Sequence, residues 1–543
     1  MARGAALAAA VTVALLAVSG AGGVDAQTPK RGGTVVFGPV REPACLTTFL
    51  YVCQGSGVAT PSFEWVTENV LPPAYIVGFD FALRPRLVSR VTFTTRSPFT
   101  LTYHIRPEAR WSDGVAVTAR DFEFTHRVVR RFAPPPDAAG DRGWSHRFVR
   151  SVRPVDAKTV RVVLRSRFAG WRDLFRMILP RHALRGENLE RVWSDDINNP
   201  KTGAPIGSGP FLVERWERGK QLTLVRNTRY WGPHVAYLDK IVIRFCREVC
   251  NAPPGDEVLD RLRRGEVDFA FARDTTIVSD LRRIRGIRVV AAPSNGWEHL
   301  DIRAVPGSHP ALENKLVRRA LIYGIDRVDI ARRLFGELDP KYQPSDNAIF
   351  LNTSRHYRAN WSGYRYRPDL ARRLLAQAGC RRGSDRIYVC EGERLSLRAR
   401  TSGGQPVRER TLQLAQAHLR EAGVELVYTF GPGDADLSLY AWFRGAEPVG
   451  MKDLFGCGGS LNDLGYCQRL VTSDLDQADR TLDADRQARV LNSADRQMAR
   501  DVPVIPLFQL PLVFAYKTTL RGIDPAPFDP FWNAEDWWLA EPR

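Results

Sequence analysis

The chain has 543 residues, which is more than one ordinary domain holds, so two or three lobes are expected. Its hydrophobic content of 44% and charged content of 25% are typical of a soluble globular protein and exclude general disorder. The 78 Lys and Arg residues against 60 Asp and Glu residues give a formal net charge of +18. That charge fits either a bound polyanion or a solvated Arg-rich surface, and the spread of Arg along the whole chain favours the surface.

The first 26 residues have the pattern of a secretory signal peptide. Arg3 precedes an Ala, Val and Leu run that ends at Val18, and Val24-Asp25-Ala26 fits the small-residue rule at a cleavage site. The apolar run is short and Ala-rich for a membrane span, and no Cys directly follows it to carry a lipid. We therefore expect an exported protein without a membrane anchor.

The next clear module is a strand, a tight turn and a capped helix. From Leu101, apolar and polar residues alternate, as in a strand with one buried face. A tight turn is predicted where Gly114 follows an Asp, because glycine accepts positive φ without steric cost. Thr118 caps the helix, with Asp121 three residues on as a variant of the capping box. Three successive prolines then place a loop at 132–143, since they cannot continue a helix.

Strands dominate the following part of the chain. The stretch KTVRVVLRS is one strand, and GPFLVERWERGKQLTLVRN is a hairpin that turns at Gly219. AYLDKIVIRF is a further strand. DEVLDRLRRGEVDFAF predicts a helix that stops at Gly265 and then a strand, which is a βαβ-like element.

Helical periodicity dominates the second half of the chain. A long helical tract at 311–336 is divided into two helices by Gly324 and Asp326. A strand–helix–strand unit follows at 394–430, and a helix that runs into an apolar strand lies at 489–509. The chain thus predicts two mixed α/β lobes, and a cleft between lobes is the usual ligand site of that architecture.

The eight cysteines form four couples, each within a short stretch. In an oxidising compartment such couples are expected to form local disulfides. Metal binding is the alternative, but no C-x-x-C pair occurs and no His is paired with these positions. The couples are Cys45 and Cys53, Cys246 and Cys250, Cys380 and Cys390, and Cys457 and Cys467.

Catalytic motifs are missing from the sequence. There is no G-x-S-x-G elbow, no Walker A loop, no H-E-x-x-H and no usable G-x-G-x-x-G. The nine His residues are scattered, and a lone His is more often a surface or core residue than a ligand. The missing motifs lower the expectation of an enzyme without excluding one.

Four stretches, in order along the chain, carry recognisable motifs. The first is the strand–WSDG–helix signature in YHIRPEARWSDGVAVTARDFEF. The second is IGSGPFLVERWERGKQLTLVRNTRYWG, with a G-[ST]-G-P-[FY] start and an N-x-x-Y-W end. The others are LVRRALIYGIDRVDIARRLFG, which has a V-R-x-A…I-D-R pattern, and YCQRL followed later by DVPVIPLFQ. With these motifs the chain resembles the extracellular solute-binding proteins of the peptide/nickel type, family 5, which are the receptors of ABC importers.

The resemblance implies a periplasmic binding protein-like α/β fold of the class II, cluster C type. Two mixed α/β lobes carry an extra inserted domain and enclose a ligand cleft. The implied divisions are the signal peptide at 1–26, the first part of domain I at 27–60, the inserted domain II at 61–205, the second part of domain I at 206–295, domain III at 296–500 and the return to domain I at 501–543.

The function implied by the resemblance is capture of a peptide or similar small solute by lobe closure, and its delivery to an ABC import permease. We further expect no catalysis, no cofactor, no metal, no nucleic-acid partner, a monomer and a free periplasmic location. Two alternatives stay open, an exported hydrolase and a basic surface protein that binds polyanions. Turnover of a peptide or ester would support the hydrolase, and steep salt dependence of binding would support the polyanion binder.

Peptide-binding members of the family carry an acidic residue a few positions after a Trp, where it pairs with the α-amino group of the peptide. In SLYAWFRGAEP, Trp442 matches that Trp, but Arg444 or Gly445 stands at the acidic position, and Glu447 is not the anchor. A buried Arg444 would favour a carboxylate or phosphate, because its fork accepts two oxygens. A solvent-facing Arg444 is the alternative.

Other candidates are chosen as aromatic and polar side chains that suit a closing cleft, with packing in the core or on a loop as the alternative for each. The full candidate set for ligand binding is Glu42, Trp297, Tyr440, Trp442, Phe443, Arg444, Asn462 and Tyr466.

Overall fold

The computed structural model describes residues 28–541, except for 48, 51–52, 54–60, 79–80, 95, 133–143, 249, 251–253, 525 and 527–528. The expected signal peptide and most of the expected loop at 132–143 lie outside the described residues. Within the described part of the chain, no helix is both long enough and apolar enough to cross a membrane.

Helices occur in both halves of the described chain. The α-helices are α1 (Pro61–Val70), α2 (Ala119–Phe132), α3 (Arg181–Leu184), α4 (Gly255–Arg263), α5 (Val278–Arg283), α6 (Lys315–Gly324), α7 (Arg327–Phe335), α8 (Pro368–Gln377), α9 (Pro406–Ala422), α10 (Met451–Phe455), α11 (Arg469–Asp479) and α12 (Ala484–Asp501). The expected division of the tract at 311–336 is confirmed, since α6 ends at Gly324 and the Asp326 carboxylate caps α7 by accepting from the Asp329 N–H at 2.9 Å.

The described part of the chain has 21 strands, against 12 α-helices. They are β1 (Thr34–Val40), β2 (Tyr75–Val77), β3 (Leu83–Pro85), β4 (Val88–Phe93), β5 (Thr100–Ile105), β6 (Val149–Pro154), β7 (Thr159–Leu164), β8 (Phe211–Glu217), β9 (Gln221–Arg226), β10 (Lys240–Phe245), β11 (Phe269–Ala272), β12 (Ile287–Ile302), β13 (Arg381–Arg382), β14 (Tyr388–Cys390), β15 (Glu393–Arg394), β16 (Ser396–Thr401), β17 (Glu425–Phe430), β18 (Leu437–Phe443), β19 (Val504–Lys517), β20 (Leu520–Arg521) and β21 (Trp538–Leu539).

Within the described residues, ten strands form one mixed sheet in the order β17-β16-β18-β12-β19-β11-β1-β10-β9-β8. The two long strands β12 and β19 are antiparallel and lie at its centre. β19 pairs with β11 near one end, and β12 pairs with β18 near the other, so the long pair joins two halves of the sheet. The register shifts between Pro293 and Trp297, and an irregularity of this kind lets a strand bend.

Two large hydrophobic cores correspond to two lobes. The core of the first lobe takes its residues from β1 to β11 and from the end of the chain beyond Leu512. The core of the second lobe takes its residues from Trp297 to Phe508. The domain limits stay predictions: the four-stranded sheet of β4 to β7 lies within the range 61–205, and β12 runs through the limit at 295–296.

The strand–turn–helix module is confirmed. In β5 every second residue from Leu101 is buried, and Gly114 in the turn has φ +93°. The Thr118 N–H donates to the Asp121 carboxylate at 2.7 Å, at the start of α2. The same carboxylate accepts from the backbone N–H of Arg181 at 2.9 Å, so the capping side chain also holds α3 against α2.

The four local disulfides are confirmed in the described residues, where no Cys is free. Each closes a short loop, with partners 4 to 10 residues apart in sequence. Such bridges stabilise mainly by restricting the unfolded chain, and short loops gain least. The Cys457–Cys467 loop carries two of the candidate site residues, Asn462 and Tyr466.

Candidate ligand-binding site

Most of the candidate residues lie on β12 and β18 or directly after β18. The two strands are antiparallel neighbours, with Trp297 opposite Trp442 and His299 opposite Tyr440. Alternate residues of a strand share one face, so these four side chains lie on the same face of the sheet. Phe443, opposite Gly296, lies on the other face.

Trp297, His299, Tyr440 and Trp442 form an aromatic column. The Trp297 and His299 rings stack with centroids 4.0 Å apart, Tyr440 meets His299 at 4.7 Å, and Trp442 meets Tyr440 at 5.8 Å. The Asp301 carboxylate ends the column: it accepts from the Tyr440 hydroxyl and lies 3.2 Å from His299 Nε2. Burial and the Asp301 charge raise the pKa of Tyr440, so its hydroxyl stays a proton donor.

Arg444 lies at the other end of the aromatic column and is only 6% exposed, so it does not face solvent. Its guanidinium carbon is 4.7 Å from the centroid of the Trp297 ring. Its terminal nitrogens donate to the Ala348 carbonyl at 2.6 Å and the Met451 sulfur at 3.0 Å. These partners are neutral, and Arg444 forms no ion pair within the described residues. Burial lowers the pKa of Arg444 to about 10.

A second arginine approaches from the first lobe. Arg273 directly follows β11, and its guanidinium lies 4.7 Å from the centroid of the Phe443 ring, which is 47% exposed. The neighbouring carboxylate of Glu298 is already paired with Arg408 at 2.7 Å. Arg273 has no ion pair of its own in the described part of the chain, and burial followed by the Arg408 charge lowers the pKa of Arg273 to about 10. Two arginines without ion pairs therefore flank the end of β18.

The other three candidates lie elsewhere and have partners. The Glu42 carboxylate accepts from Trp216 Nε1 at 2.9 Å and from the Gly219 N–H at 3.0 Å, which holds it against the β8–β9 turn. Asn462 donates to the Tyr466 carbonyl at 2.6 Å, and the Tyr466 hydroxyl donates to Asp501 at 2.9 Å. The structure thus brings Asn462 and Tyr466 together but leaves Glu42 apart from them, and a ligand role for these three stays a prediction.

The two lobes meet at a seam formed by Ala169 and Arg172 of the first lobe and Glu447 and Asp479 of the second. Arg172 donates to Glu447 Oε1 at 2.6 Å, and the Ala169 N–H donates to the Asp479 carbonyl at 2.8 Å. Burial raises the pKa of Glu447 to about 7 and that of Asp479 to about 6. A groove of about 950 Å³ lies beside the seam, with Arg172 and residues of both lobes in its walls.

Sequence reasoning missed His299, Asp301 and Arg273. A signal for the first two was present, because Trp297, His299 and Asp301 alternate along GWEHLDI as the residues of one strand face do. Arg273 gave no such signal, since it is one of many arginines and its approach to Phe443 depends on how the lobes meet.

The chain matches the family model of the bacterial extracellular solute-binding proteins, family 5 Middle, over residues 82–450. That match covers more than half of the sequence. The chain belongs to this family. It is 27% identical to the oligopeptide-binding protein OppA of Mycobacterium bovis over 473 residues, which are 84% of this chain and 77% of that protein. It is 23% identical to the oligopeptide-binding protein AppA of Bacillus subtilis over 539 residues, 95% of this chain and 93% of that one.

Solved structures show the same fold. A periplasmic EDTA-binding protein, EppA, superposes on this family 5 protein with a TM-score of 0.83 at 23% identity, covering 98% of this chain and 100% of its own. Bacillus subtilis AppA in complex with a nonapeptide superposes with a TM-score of 0.73 at 20% identity, covering 95% and 100%. The expected fold and family are confirmed, and the protein is an extracellular solute-binding protein of the kind that serves ABC importers.

Proposed function

We propose that this family 5 protein captures a small solute with a carboxylate or phosphate group, either a peptide or another acidic solute, and delivers it to the membrane permease of an ABC importer. The ligand binds between the lobes at the end of β18, where Trp442 lies on one face of the sheet and Phe443 on the other. Arg444 of the second lobe and Arg273 of the first supply the positive charge that attracts its anionic group.

The observation that carries this proposal is the pair of arginines without ion pairs at the end of β18. Taking a guanidinium out of water costs several kcal/mol unless a partner offsets the loss, and Arg444 has only a carbonyl, a sulfur and an indole face. A carboxylate or phosphate is the partner that a guanidinium binds best, because two N–H groups can reach two oxygens. An anionic ligand would therefore supply what the folded protein lacks.

The aromatic residues suit a ligand whose side chains or substituents vary. Phe443 presents 47% of its surface, and Trp442 is only partly buried. Rings bind through their faces and need no particular hydrogen-bonding group, so they tolerate different ligands. The oligopeptides for which the relative OppA is named carry a C-terminal carboxylate, which fits the same arrangement.

Lobe closure is part of the proposal. The register shift in β12 between Pro293 and Trp297 supplies a hinge, and the seam of Ala169, Arg172, Glu447 and Asp479 supplies the contacts of the closed form. Arg444 and Glu447 stand three residues apart on one segment. A ligand that binds the closed form better than the open form would therefore act on the segment that carries the seam contact.

The proposal includes a monomeric, free periplasmic receptor without catalytic activity, released by cleavage after Ala26. The intact mass of the exported protein checks the cleavage site and reveals any attached lipid. Light scattering of the purified protein checks the monomer. A mass that retains residues 1–26, or that includes a diacylglyceryl group, contradicts this part of the proposal.

The main test is mass spectrometry of small molecules released by denaturing freshly purified mature protein, with Arg444→Met purified in parallel. We expect a stoichiometric acidic solute from the unaltered protein and much less of it from the variant. A neutral solute retained equally by both proteins would contradict the proposal. If the protein releases no small molecule, a thermal-shift screen of carboxylates and phosphates follows. A screen in which none of these compounds stabilises the protein contradicts the proposal.

A further inference from the structure

A second cavity lies in the second lobe, away from the seam and the aromatic column. It has a volume of about 570 Å³ and opens between α12 and the segment 356–360. We call it the α12 pit. Its lining residues are His356, Arg358, Asn360, Asp485, Ala488, Arg489, Asn492 and Arg496.

The wall that α12 contributes is a single helix face. Asp485, Arg489, Asn492 and Arg496 are spaced by four, three and four residues, which places their side chains in one row. Ala488 lies beside the row and is buried, so a small side chain leaves room at the base of the α12 pit.

The floor of the α12 pit is held in place by a buried carboxylate. Asp495 is fully buried and accepts from Asn360 Nδ2 at 2.6 Å and from Trp361 Nε1 at 2.9 Å. Asn360 also donates to Asn492 Oδ1 at 3.1 Å, and Asn492 donates to the His356 carbonyl at 3.1 Å. These bonds join α12 to the facing segment and fix the floor of the α12 pit, whereas the side chains of Arg358, Arg489 and Arg496 are exposed to solvent.

The walls carry more positive charge than their neighbours neutralise. The side chains of Arg489 and Arg496 form no hydrogen bond or ion pair within the described residues, and the Arg358 side chain donates to the carbonyls of Arg355 and Tyr357. The only carboxylate in the lining is Asp485, which lies 3.8 Å from His356 and 3.9 Å from Arg355. None of the three arginines forms a direct ion pair within the described residues, although the charge of Arg496 acts on the buried Asp495 carboxylate.

We propose that the α12 pit binds a multivalent oxyanion, with Arg358, Arg489 and Arg496 around its phosphate or carboxylate oxygens. Guanidinium groups suit this ligand because each can give two parallel N–H bonds to one oxyanion. The oxyanion is either a free solute or the phosphate of an anionic lipid headgroup. This site is separate from the proposed ligand cleft and does not depend on it.

The test uses two probes, inorganic pyrophosphate by isothermal titration calorimetry in a phosphate-free buffer, and vesicles of phosphatidylcholine with or without phosphatidylglycerol by co-sedimentation. The test variant is Arg489→Gln/Arg496→Gln. The matched control is Arg373→Gln/Arg410→Gln, which removes the same charge from exposed positions on α8 and α9 of the same lobe. Arg444→Met separates binding in the ligand cleft from binding in the α12 pit.

We expect the test variant to lose at least about tenfold in affinity for one of the two probes, while the control stays within about twofold. A loss for pyrophosphate alone identifies a free solute, and a loss for phosphatidylglycerol vesicles identifies a lipid headgroup. Equal losses in the test and control variants mean a diffuse basic surface and overturn the proposal. Binding of neither probe, or loss of pyrophosphate binding only in Arg444→Met, overturns it as well.

Discussion

Arg327 and Arg444 are both buried in the second lobe, and their surroundings differ. Arg327 is 4% exposed, lies 2.9 Å from the Asp346 carboxylate and donates to three backbone carbonyls as well. Arg444 is 6% exposed and has only neutral partners. The first arrangement holds the loop after α7 in place. The second leaves Arg444 without a direct ion pair in the described residues, although the more distant charges of Asp495 and Asp301 act on it. The comparison teaches that the partner of a buried arginine, more than its burial, separates a structural residue from a candidate ligand-binding residue.

The largest expected effect is a loss of stability when the ion pair of Arg327 is removed. Arg327→Met leaves the Asp346 carboxylate without its cation, and breaking a buried pair in this way typically costs about 3–5 kcal/mol. Urea unfolding measures the change in the free energy of unfolding. A loss below about 1 kcal/mol would show that Asp346 finds solvent or another partner and that the pair is not structural.

A buried carboxyl group at the seam sharpens the comparison, because Glu447 of the second lobe pairs with Arg172 of the first. Burial raises the pKa of Glu447 from 4.5 to about 7. The folded protein therefore holds a proton that the unfolded chain releases, so this contribution to stability is full below about pH 4.5 and is lost as pH rises through 7. Between pH 5 and pH 8 the expected loss is about 2 kcal/mol.

Glu447→Gln removes this titration and serves as the matched control. Subtracting its unfolding free energies from those of the unaltered protein at each pH isolates Glu447 from other titrating groups, such as Asp479, whose pKa is also raised. A difference that stays flat between pH 5 and pH 8 contradicts the buried seam. A difference that grows with pH reverses the expected sign and contradicts it too.

Substitution of Arg444, the arginine without an ion pair, should change ligand affinity rather than the free energy of unfolding. Arg444→Met keeps the volume and breaks no direct ion pair of the described residues, so the free energy of unfolding should change by less than about 1 kcal/mol. Affinity for an acidic ligand should fall by about 10-fold to 100-fold, because a hydrogen bond to a charged group is lost. Calorimetry with the ligand and its neutral amide separates the two effects, and an equal loss for both argues against charge recognition.

The smallest expected effect concerns the aromatic column. Trp442→Ala should weaken ligand binding by about fivefold, roughly 1 kcal/mol, because one ring face is lost while the fold is kept. Phe430→Ala is the matched control, since Phe430 is an exposed ring, 49% accessible, on β17 of the same sheet. Equal affinities of the two variants would remove Trp442 from the ligand site.

Local features could be predicted from the sequence because neighbouring residues decide them. The capped start of α2, the division between α6 and α7 and the four short-range disulfides all depend on residues within a few positions of each other. The long strand pair β12–β19 was harder to predict from the sequence, because it joins residues about two hundred positions apart. Only part of β19 was expected, and the whole of β12 was missed.

The candidate site was predictable only in part. Alternation places Trp442 and Tyr440 on one strand face, and the resemblance to the family directed attention to that strand. The neighbours of Arg444 come from segments around Trp297, Ala348 and Met451, which no local pattern connects. The burial of Arg444 without an ion pair depends on how these three segments pack together, which the sequence does not show.

A crystal structure of the protein with its co-purified or screened ligand tests the central claim most directly. We expect an oxygen of a ligand carboxylate or phosphate at about 3 Å from the Arg444 guanidinium, with Trp442 or Phe443 against the ligand. A ligand without an anionic group, or one whose anionic group lies elsewhere while Arg444 keeps only its bonds to Ala348 and Met451, would contradict the account.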